Sequence, residues 1–202
     1  MKTTLLLIRH GETEWNTEKR MQGFKNSNLT EKGVSNAKKL GEALKHINFS
    51  KVYSSPLGRT IDTSKHIIGD RDIEIITVDY LKEMNLGTWG GMLSDDLVVK
   101  YPKEYDNFWN NPHEYTPIDG ENFYEVMERA SKGLEEIINN EDGDILIVTH
   151  TVVIKCLLAK LKNLPIKNLW DPPYIYDTCL TILEVENGDI KFLKEADICH
   201  LS

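Results

Sequence analysis

Short apolar runs alternate along this chain with segments whose apolar residues recur every three or four positions. That alternation restricts the fold more than any other feature. Thr3 to Ile8 is an apolar run of strand length, consistent with a strand buried on both faces. Thr30 can cap a helix in which Val34, Ala37, Leu40, Leu44 and Ile47 share one stripe. Val52 and Tyr53 suggest a short strand, after which Pro56 sits in the first turn of a helix capped by Ser54 or Ser55. Ile73 to Val78 reads as another strand. From Glu121, the residues Phe123, Val126, Met127, Ala130, Leu134, Ile137 and Ile138 mark a long amphipathic helix. Asp144 to Val148 is a fourth apolar strand, and Val152 to Leu161 continues as a helix. Tyr176 to Val185 and Ile190 to Leu193 look like a hairpin around Asn187-Gly188. Strands alternating with helices predict an α/β fold, a three-layer α/β/α sandwich around a mostly parallel sheet. Such sheets bind ligands beyond the carboxyl ends of their strands, and the segments after Ile8 and after Val148 fall there.

One stretch breaks the pattern. From Gly87 to Gly120 the chain is rich in aromatics, Pro and Asn, with Trp89, Tyr101, Tyr105, Phe108, Trp109 and Tyr115 among them. We read it as an inserted, partly helical lid within a single domain spanning residues 1–202. Any one of these aromatics fits equally well in a second small core patch.

At 202 residues the chain can bury a full core without disulfides or a metal. Its net charge of −8 argues against nucleic acid or an anionic membrane as partner, because both reward basic surfaces. A small pocket can still reverse the sign locally for an anionic substrate. Lys supplies the general surface charge, and only Arg9, Arg20, Arg59, Arg71 and Arg129 carry guanidinium groups. Each is a candidate for work that needs a planar, bidentate cation. Cys156, Cys179 and Cys199 form no C-x-x-C pair and fit a reducing compartment. Leu5 to Ile8 is too short for a signal h-region, and no run approaches the length of a membrane span. The cytoplasm is the expected location. An interface strand or helix reads like core, so a homodimer stays open.

Arg9-His10-Gly11-Glu12-Thr13 follows the first strand directly. It puts two cationic side chains at a ligand-facing edge, and Gly11 would let backbone N–H groups approach an anion. By itself the tripeptide also fits a turn with a surface Arg. The longer block Arg9 to Asn16 followed by Arg20-Met21-Gln22-Gly23 resembles the signature of the histidine phosphatase superfamily, the phosphoglycerate-mutase-like clan. Leu29 to Gly33, Ser54-Ser55-Pro56-Leu57-Gly58-Arg59-Thr60, Leu81-Lys82-Glu83 with Gly87 to Gly91, and Val148-Thr149-His150 resemble the later blocks of the same family. Several ordered blocks over about 150 residues are far more specific than any one of them.

The resemblance implies a phosphohistidine mechanism. His10 matches the family's nucleophile, Glu83 its proton donor, and Arg9, Arg59 and His150 the rest of the charged pocket. Asn16, Gln22 and Gly23 match its phosphate or substrate contacts. Physical chemistry agrees: a transferring phosphoryl group spreads charge over its oxygens, and guanidinium forks can hold them while a neutral imidazole attacks phosphorus. Each residue also has a plainer possibility, Arg59 as a helix-surface cation and His150 as a satisfied core histidine. The other histidines, His46, His66, His113 and His200, lack metal-ligand spacing, so neither a metal nor another cofactor is expected. Thr151 stands where the family usually has Gly, and a β-branched side chain disfavours positive φ, so the local backbone or the pocket wall should differ.

These features predict a metal-independent phosphomonoester hydrolase acting on a small phosphorylated metabolite. The runner-up is a bisphosphoglycerate-dependent phosphoglycerate mutase, which would need more basic residues near the site than Ser94 to Pro117 offers. The non-enzyme alternative is a phospho-ligand-binding homologue, for which a lost nucleophile, Arg or acid would speak.

Overall fold

The structure, a computed structural model, describes residues 2–202. Among them, six strands form one sheet: β1 (Lys2–Arg9), β2 (Phe49–Ser54), β3 (Ile75–Thr77), β4 (Gly143–Thr149), β5 (Leu180–Glu186) and β6 (Asp189–Asp197). Their order across the sheet is β3-β2-β4-β1-β5-β6. The first four run parallel, β5 lies antiparallel to β1, and β6 antiparallel to β5. The seven α-helices are α1 (Glu14–Thr17), α2 (Glu31–Ala43), α3 (Gly58–Ile68), α4 (Ser94–Lys100), α5 (Pro102–Asn110), α6 (Phe123–Asn140) and α7 (Thr151–Leu161).

The continuous apolar runs have their cause in this layering. Leu5, Leu7, Ile145 and Ile147 point to one face and pack with Val126, Ala130 and Leu134 of α6 and with Val153 and Leu157 of α7. Leu6, Ile8, Leu146 and Val148 point to the other and pack with Ala37 and Leu40 of α2 and Ile67 of α3. A central strand covered on both faces needs no polar residue in its alternation. Each such buried side chain contributes roughly 1.5–3 kcal/mol through removal from water.

Several local expectations shift. Helix α3 starts at Gly58, two residues later than a cap at Ser55 would set it and three later than a cap at Ser54, and its amino end is served by Asn26, whose Oδ1 accepts the Arg59 N–H at 3.0 Å. Helix α2 stops at Ala43, leaving Ile47 to pack from the following turn. The third strand shortens to three residues, and β5 begins at Leu180 rather than Tyr176 because residues 176–179 turn back beneath Arg9 and His10: the Thr178 N–H donates to the Arg9 carbonyl at 3.1 Å. The last strand runs on to Asp197.

The 87–120 segment carries α4 and α5. Its Trp89, Phe108 and Tyr115 are buried in the main core beside Phe123, while Trp109 stays partly exposed.

Candidate active site

Strand register assembles the site. In the parallel pair β1–β4, Arg9 stands opposite Thr149, so His10 and His150 are the next residues on adjacent strand ends. The His10 N–H donates to the Thr149 carbonyl at 3.0 Å, and the two rings meet edge to face with centroids 5.2 Å apart. On the other side of β4, Ser54 pairs with Val148, which sets Ser55 beside His150. The carboxyl ends of β1, β4 and β2 thus converge on one spot.

A cavity of about 280 Å³ opens above it, lined by Arg9, His10, Asn16, Gln22, Gly23, Arg59 and Glu83, with Phe108, Trp109 and Trp170 as its aromatic wall. His150 is fully buried behind His10 rather than on this wall. An adjoining cavity of about 410 Å³ shares Trp109, Thr151 and Trp170 and adds Tyr174, Ile175, Tyr176 and Lys155.

The Nδ1 of His10 lies 2.7 Å from the Gly11 carbonyl. A carbonyl only accepts, so Nδ1 carries the proton and Nε2 keeps its lone pair. Burial, then the charges of Arg59 and Arg9, hold His10 well below the ordinary imidazole range, against a smaller opposing pull from the Gly11 carbonyl. The ring is therefore neutral at physiological pH. His150 is held low by burial and then by Arg59. Its Nε2 contacts Ser55 Oγ at 2.8 Å, and its Nδ1 is buried without a partner.

Both guanidinium groups are anchored from behind. Arg59 donates from Nη1 to the Lys25 carbonyl at 2.6 Å and from Nη2 to the Gly23 carbonyl at 2.8 Å. Arg9 donates from Nη1 to the Ile175 carbonyl at 2.8 Å. The Nε of each is buried and unpartnered. Burial lowers both, Arg59 to about 10, which still leaves them charged at neutral pH. Buried polar atoms without partners are rare, and three of them close to His10 are the mark of a site shaped for something else to complete it.

Glu83 accepts from the Met84 N–H at 2.9 Å and, more loosely, from the Val152 N–H at 3.4 Å. Burial raises it above the usual carboxylate value, while the Met84 N–H and Arg59 pull the other way. It can hold a proton where an exposed Glu cannot.

Asn16 and Gln22 are tied into a local network around Thr13. The Thr13 hydroxyl donates to Asn16 Oδ1 at 2.9 Å and accepts from Gln22 Nε2 at 2.7 Å, and Asn16 closes the capping box of α1. Gly23 has φ +55°, the left-handed region that favours glycine, and this turns its carbonyl onto Arg59. Gly11 differs from expectation. Its N–H is already given to Thr63 Oγ1 at 2.9 Å, and a Cβ there would lie 2.8 Å from the Gly33 carbonyl oxygen. Close packing, not anion contact, requires that glycine. Thr151 opens α7 in ordinary helical backbone rather than at positive φ, and its side chain lines the cavity wall.

Sequence reasoning overlooked two supports. Ser55 was expected to cap a helix and instead contacts His150. Thr149 Oγ1 donates to the Leu81 carbonyl at 2.7 Å, fastening β4 to the loop that carries Glu83. Only the parallel register of β2 with β4 could have revealed Ser55. Among the described residues, no three His, Cys, Asp or Glu side chains are grouped to hold a metal ion, and no helix is long and apolar enough to cross a membrane.

A neutral imidazole with a free Nε2, two anchored guanidiniums and a protonable carboxyl around one small cavity are the parts of an enzyme that moves a phosphoryl group onto its own histidine. Residues 5–198 match the histidine phosphatase superfamily, branch 1, and the chain belongs to that family. Phosphoserine phosphatase 1 of Hydrogenobacter thermophilus is 31% identical over 98% of this chain and 93% of its own. A 2,3-bisphosphoglycerate-dependent phosphoglycerate mutase of Parvibaculum lavamentivorans is 31% identical over 81% of this chain and 82% of its own. The solved structure of Bacillus stearothermophilus YhfR superposes with a TM-score of 0.97 at 42% identity, covering 99% of this chain and all of that one. The chain is a phosphatase-type enzyme of this superfamily.

Proposed function

We propose that this enzyme hydrolyses phosphomonoesters of small metabolites through a phosphohistidine on His10. The observation that carries the reading is the 2.7 Å contact from His10 Nδ1 to the Gly11 carbonyl, which leaves a neutral Nε2 on the cavity wall. In the first step Nε2 attacks phosphorus, the bond to the ester oxygen breaks, and Glu83 gives its proton to that oxygen. Arg9 and Arg59 hold the phosphoryl oxygens as charge spreads over them, with His150, buried behind His10, as the further member of the charged pocket once the phosphoryl group settles into it. In the second step water attacks the phosphohistidine, the Glu83 carboxylate takes its proton, and phosphate leaves with His10 neutral again. No step needs a metal ion. We read the 87–120 segment as a lid over this chemistry, and its Phe108 and Trp109, with Trp170, support a leaving group with an apolar or ring-bearing face.

A mutase would have to hold a second anionic group. The further cation on the cavity wall, Arg20, is already engaged by Glu18 at 2.9 Å and the Gly91 carbonyl at 2.7 Å, which favours release to water. The three free cysteines support a reducing cytoplasm as the working compartment.

A panel of phosphomonoesters assayed with and without a chelator tests the reading. Wild type should turn over each ester as well with chelator as without it, and His10→Ala should lose nearly all of that turnover. Activity that vanishes with chelator and returns only with added metal contradicts it, as does bisphosphoglycerate-dependent mutase turnover exceeding hydrolysis.

A further inference from the structure

Arg129 of α6 lies outside the cavity wall, yet all five of its N–H donors are engaged. Nε donates to Glu121 Oε1 at 2.7 Å. Nη1 donates to the carbonyls of Tyr80 at 2.9 Å and Lys82 at 2.8 Å. Nη2 donates to the carbonyl of Glu83 and to Glu121 Oε2, both at 2.9 Å. Glu121 reaches the far side of the same loop, where its Oε2 accepts the Asn85 N–H at 2.7 Å and its own N–H donates to the Asn85 carbonyl at 2.8 Å. One ion pair therefore grips the backbone at 80, 82 and 83 and again at 85, on both sides of Glu83. Helix α6 comes close enough to do this because residue 133, one turn on, is glycine: a Cβ there would lie 2.1 Å from the Tyr80 ring.

A carboxyl that must deliver its proton to one oxygen depends on such placement, since an error of about 1 Å can cost around 10²-fold in rate. We infer that Arg129, paired with Glu121, is the positioning residue for the general acid: it fixes the 80–85 loop so that the Glu83 carboxyl meets the leaving oxygen. This rests on the reading of Glu83 as proton donor. Lysine cannot substitute, because its three donors on one nitrogen do not reproduce a planar fork that spans three carbonyls and a carboxylate.

The experiment compares kcat and KM of wild type, Arg129→Lys, Glu83→Gln and the double variant on an alkyl phosphate and on nitrophenyl phosphate. Arg129→Lys should lower kcat/KM, which reports the ester-cleaving half-reaction alone and not the later attack of water, by about 10- to 10²-fold on the alkyl ester and by only about threefold on the nitrophenyl ester, whose leaving oxygen needs little protonation. With Glu83→Gln already present, adding Arg129→Lys should cost less than about twofold more on the alkyl ester. Equal losses on both esters, or a full additional loss in the double variant, overturn the proposal, because they describe a pocket damaged at large. If Glu83→Gln itself fails to distinguish the two esters, the acid reading falls and the positioning role with it. If Glu83→Gln does distinguish them and Arg129→Lys does not, only the proposal falls. Should Arg129→Lys not fold, as judged by circular dichroism and thermal unfolding, Glu121→Gln takes its place. It weakens the same grip from the other side and should show the same alkyl-selective loss, and an unselective loss overturns the proposal.

Discussion

The hydroxyl of Ser55 sits 2.8 Å from Nε2 of His150, and the same oxygen accepts the Leu57 N–H at 3.4 Å. In the proposed site the hydroxyl gives its proton in a hydrogen bond to the imidazole. Nε2 is then the acceptor, and the ring proton resides on Nδ1, the buried atom without a protein partner. In that arrangement Ser55 sets His150 as a donor in the proposed phosphoryl pocket. Ser55→Ala should lower kcat/KM by about tenfold and, by stranding a buried nitrogen, destabilise the fold by about 1–3 kcal/mol. Long-range 1H–15N correlation spectra of the His150 ring would report the tautomer directly. An unchanged tautomer and unchanged activity in Ser55→Ala contradict this role.

The pH dependence of the rate follows from two opposite shifts. His10 must be neutral, and it is held well below its ordinary 6.5, so the acid limb of kcat/KM lies below that value. Glu83 must be protonated, and it is raised above 4.5, so the basic limb lies above that value. An alkyl ester should therefore be cleaved best between the two limbs, with the rate falling as pH rises through the basic one. The nitrophenyl ester should show a weaker basic limb, and Glu83→Gln should flatten that limb on the alkyl ester. A basic limb that survives in Glu83→Gln would assign it to another group.

Stability should depend on pH with a defined sign. His10 and His150 bind protons more weakly folded than unfolded, so between their depressed folded values and the unfolded value near 6.5 the unfolded chain holds more protons. Stability is full above about 6.5 and drains as pH falls, by up to about 1.4 kcal/mol per pH unit for each histidine. Glu83 acts oppositely. Its raised folded value favours the folded state at low pH, a contribution that is lost as pH rises from about 4.5 through that value. Glu83→Gln should then be more stable than wild type at neutral pH and lose stability more steeply on acidification. Urea unfolding at pH 7.5, 6.5 and 5.5 checks both slopes, and parallel curves for the two proteins contradict the shift at Glu83.

Trp109 and Trp170 pack at a tilt of 41° with centroids 4.9 Å apart where the two cavities meet, and Trp170 Nε1 donates to the Phe108 carbonyl at 2.6 Å. Trp109 is the more dispensable to the fold, being 39% exposed. Trp109→Ala should raise KM for naphthyl phosphate by about 2- to 12-fold, the equivalent of losing one aromatic contact, with kcat little changed. KM for glycerol phosphate should hold constant. Equal effects on both substrates would remove the aromatic wall from substrate binding.

The sheet was legible because its central strands are buried on both faces and leave unbroken apolar runs at Leu5–Ile8 and Ile145–Val148. The candidate site residues came from spacing and resemblance, and His10 and His150 each stand two positions beyond one of those runs, at adjacent strand ends. What escaped was set by contacts far apart in sequence. Asn26 supplies the cap of α3 from 33 positions away, a pairing that no local rule anticipates. Ser55 was assigned to a helix end because Ser before Pro is a common cap, and the register of β2 with β4 overrode that preference. The hairpin strand starting at Leu180 was misjudged by four residues because Tyr176 to Cys179 looks strand-like, yet the Thr178 N–H is claimed by the carbonyl of Arg9.

The central claim is that Nε2 of His10 becomes covalently phosphorylated during turnover. Rapid quenching into alkali during hydrolysis of a phosphomonoester, followed by 31P NMR and peptide mapping of the protein, measures this most directly. The account predicts an acid-labile, alkali-stable phosphoryl group on His10, attached at Nε2 because Nδ1 is tied to the Gly11 carbonyl, and absent from His10→Ala. Phosphate recovered on a serine or on Nδ1, or robust hydrolysis by His10→Ala, would contradict it.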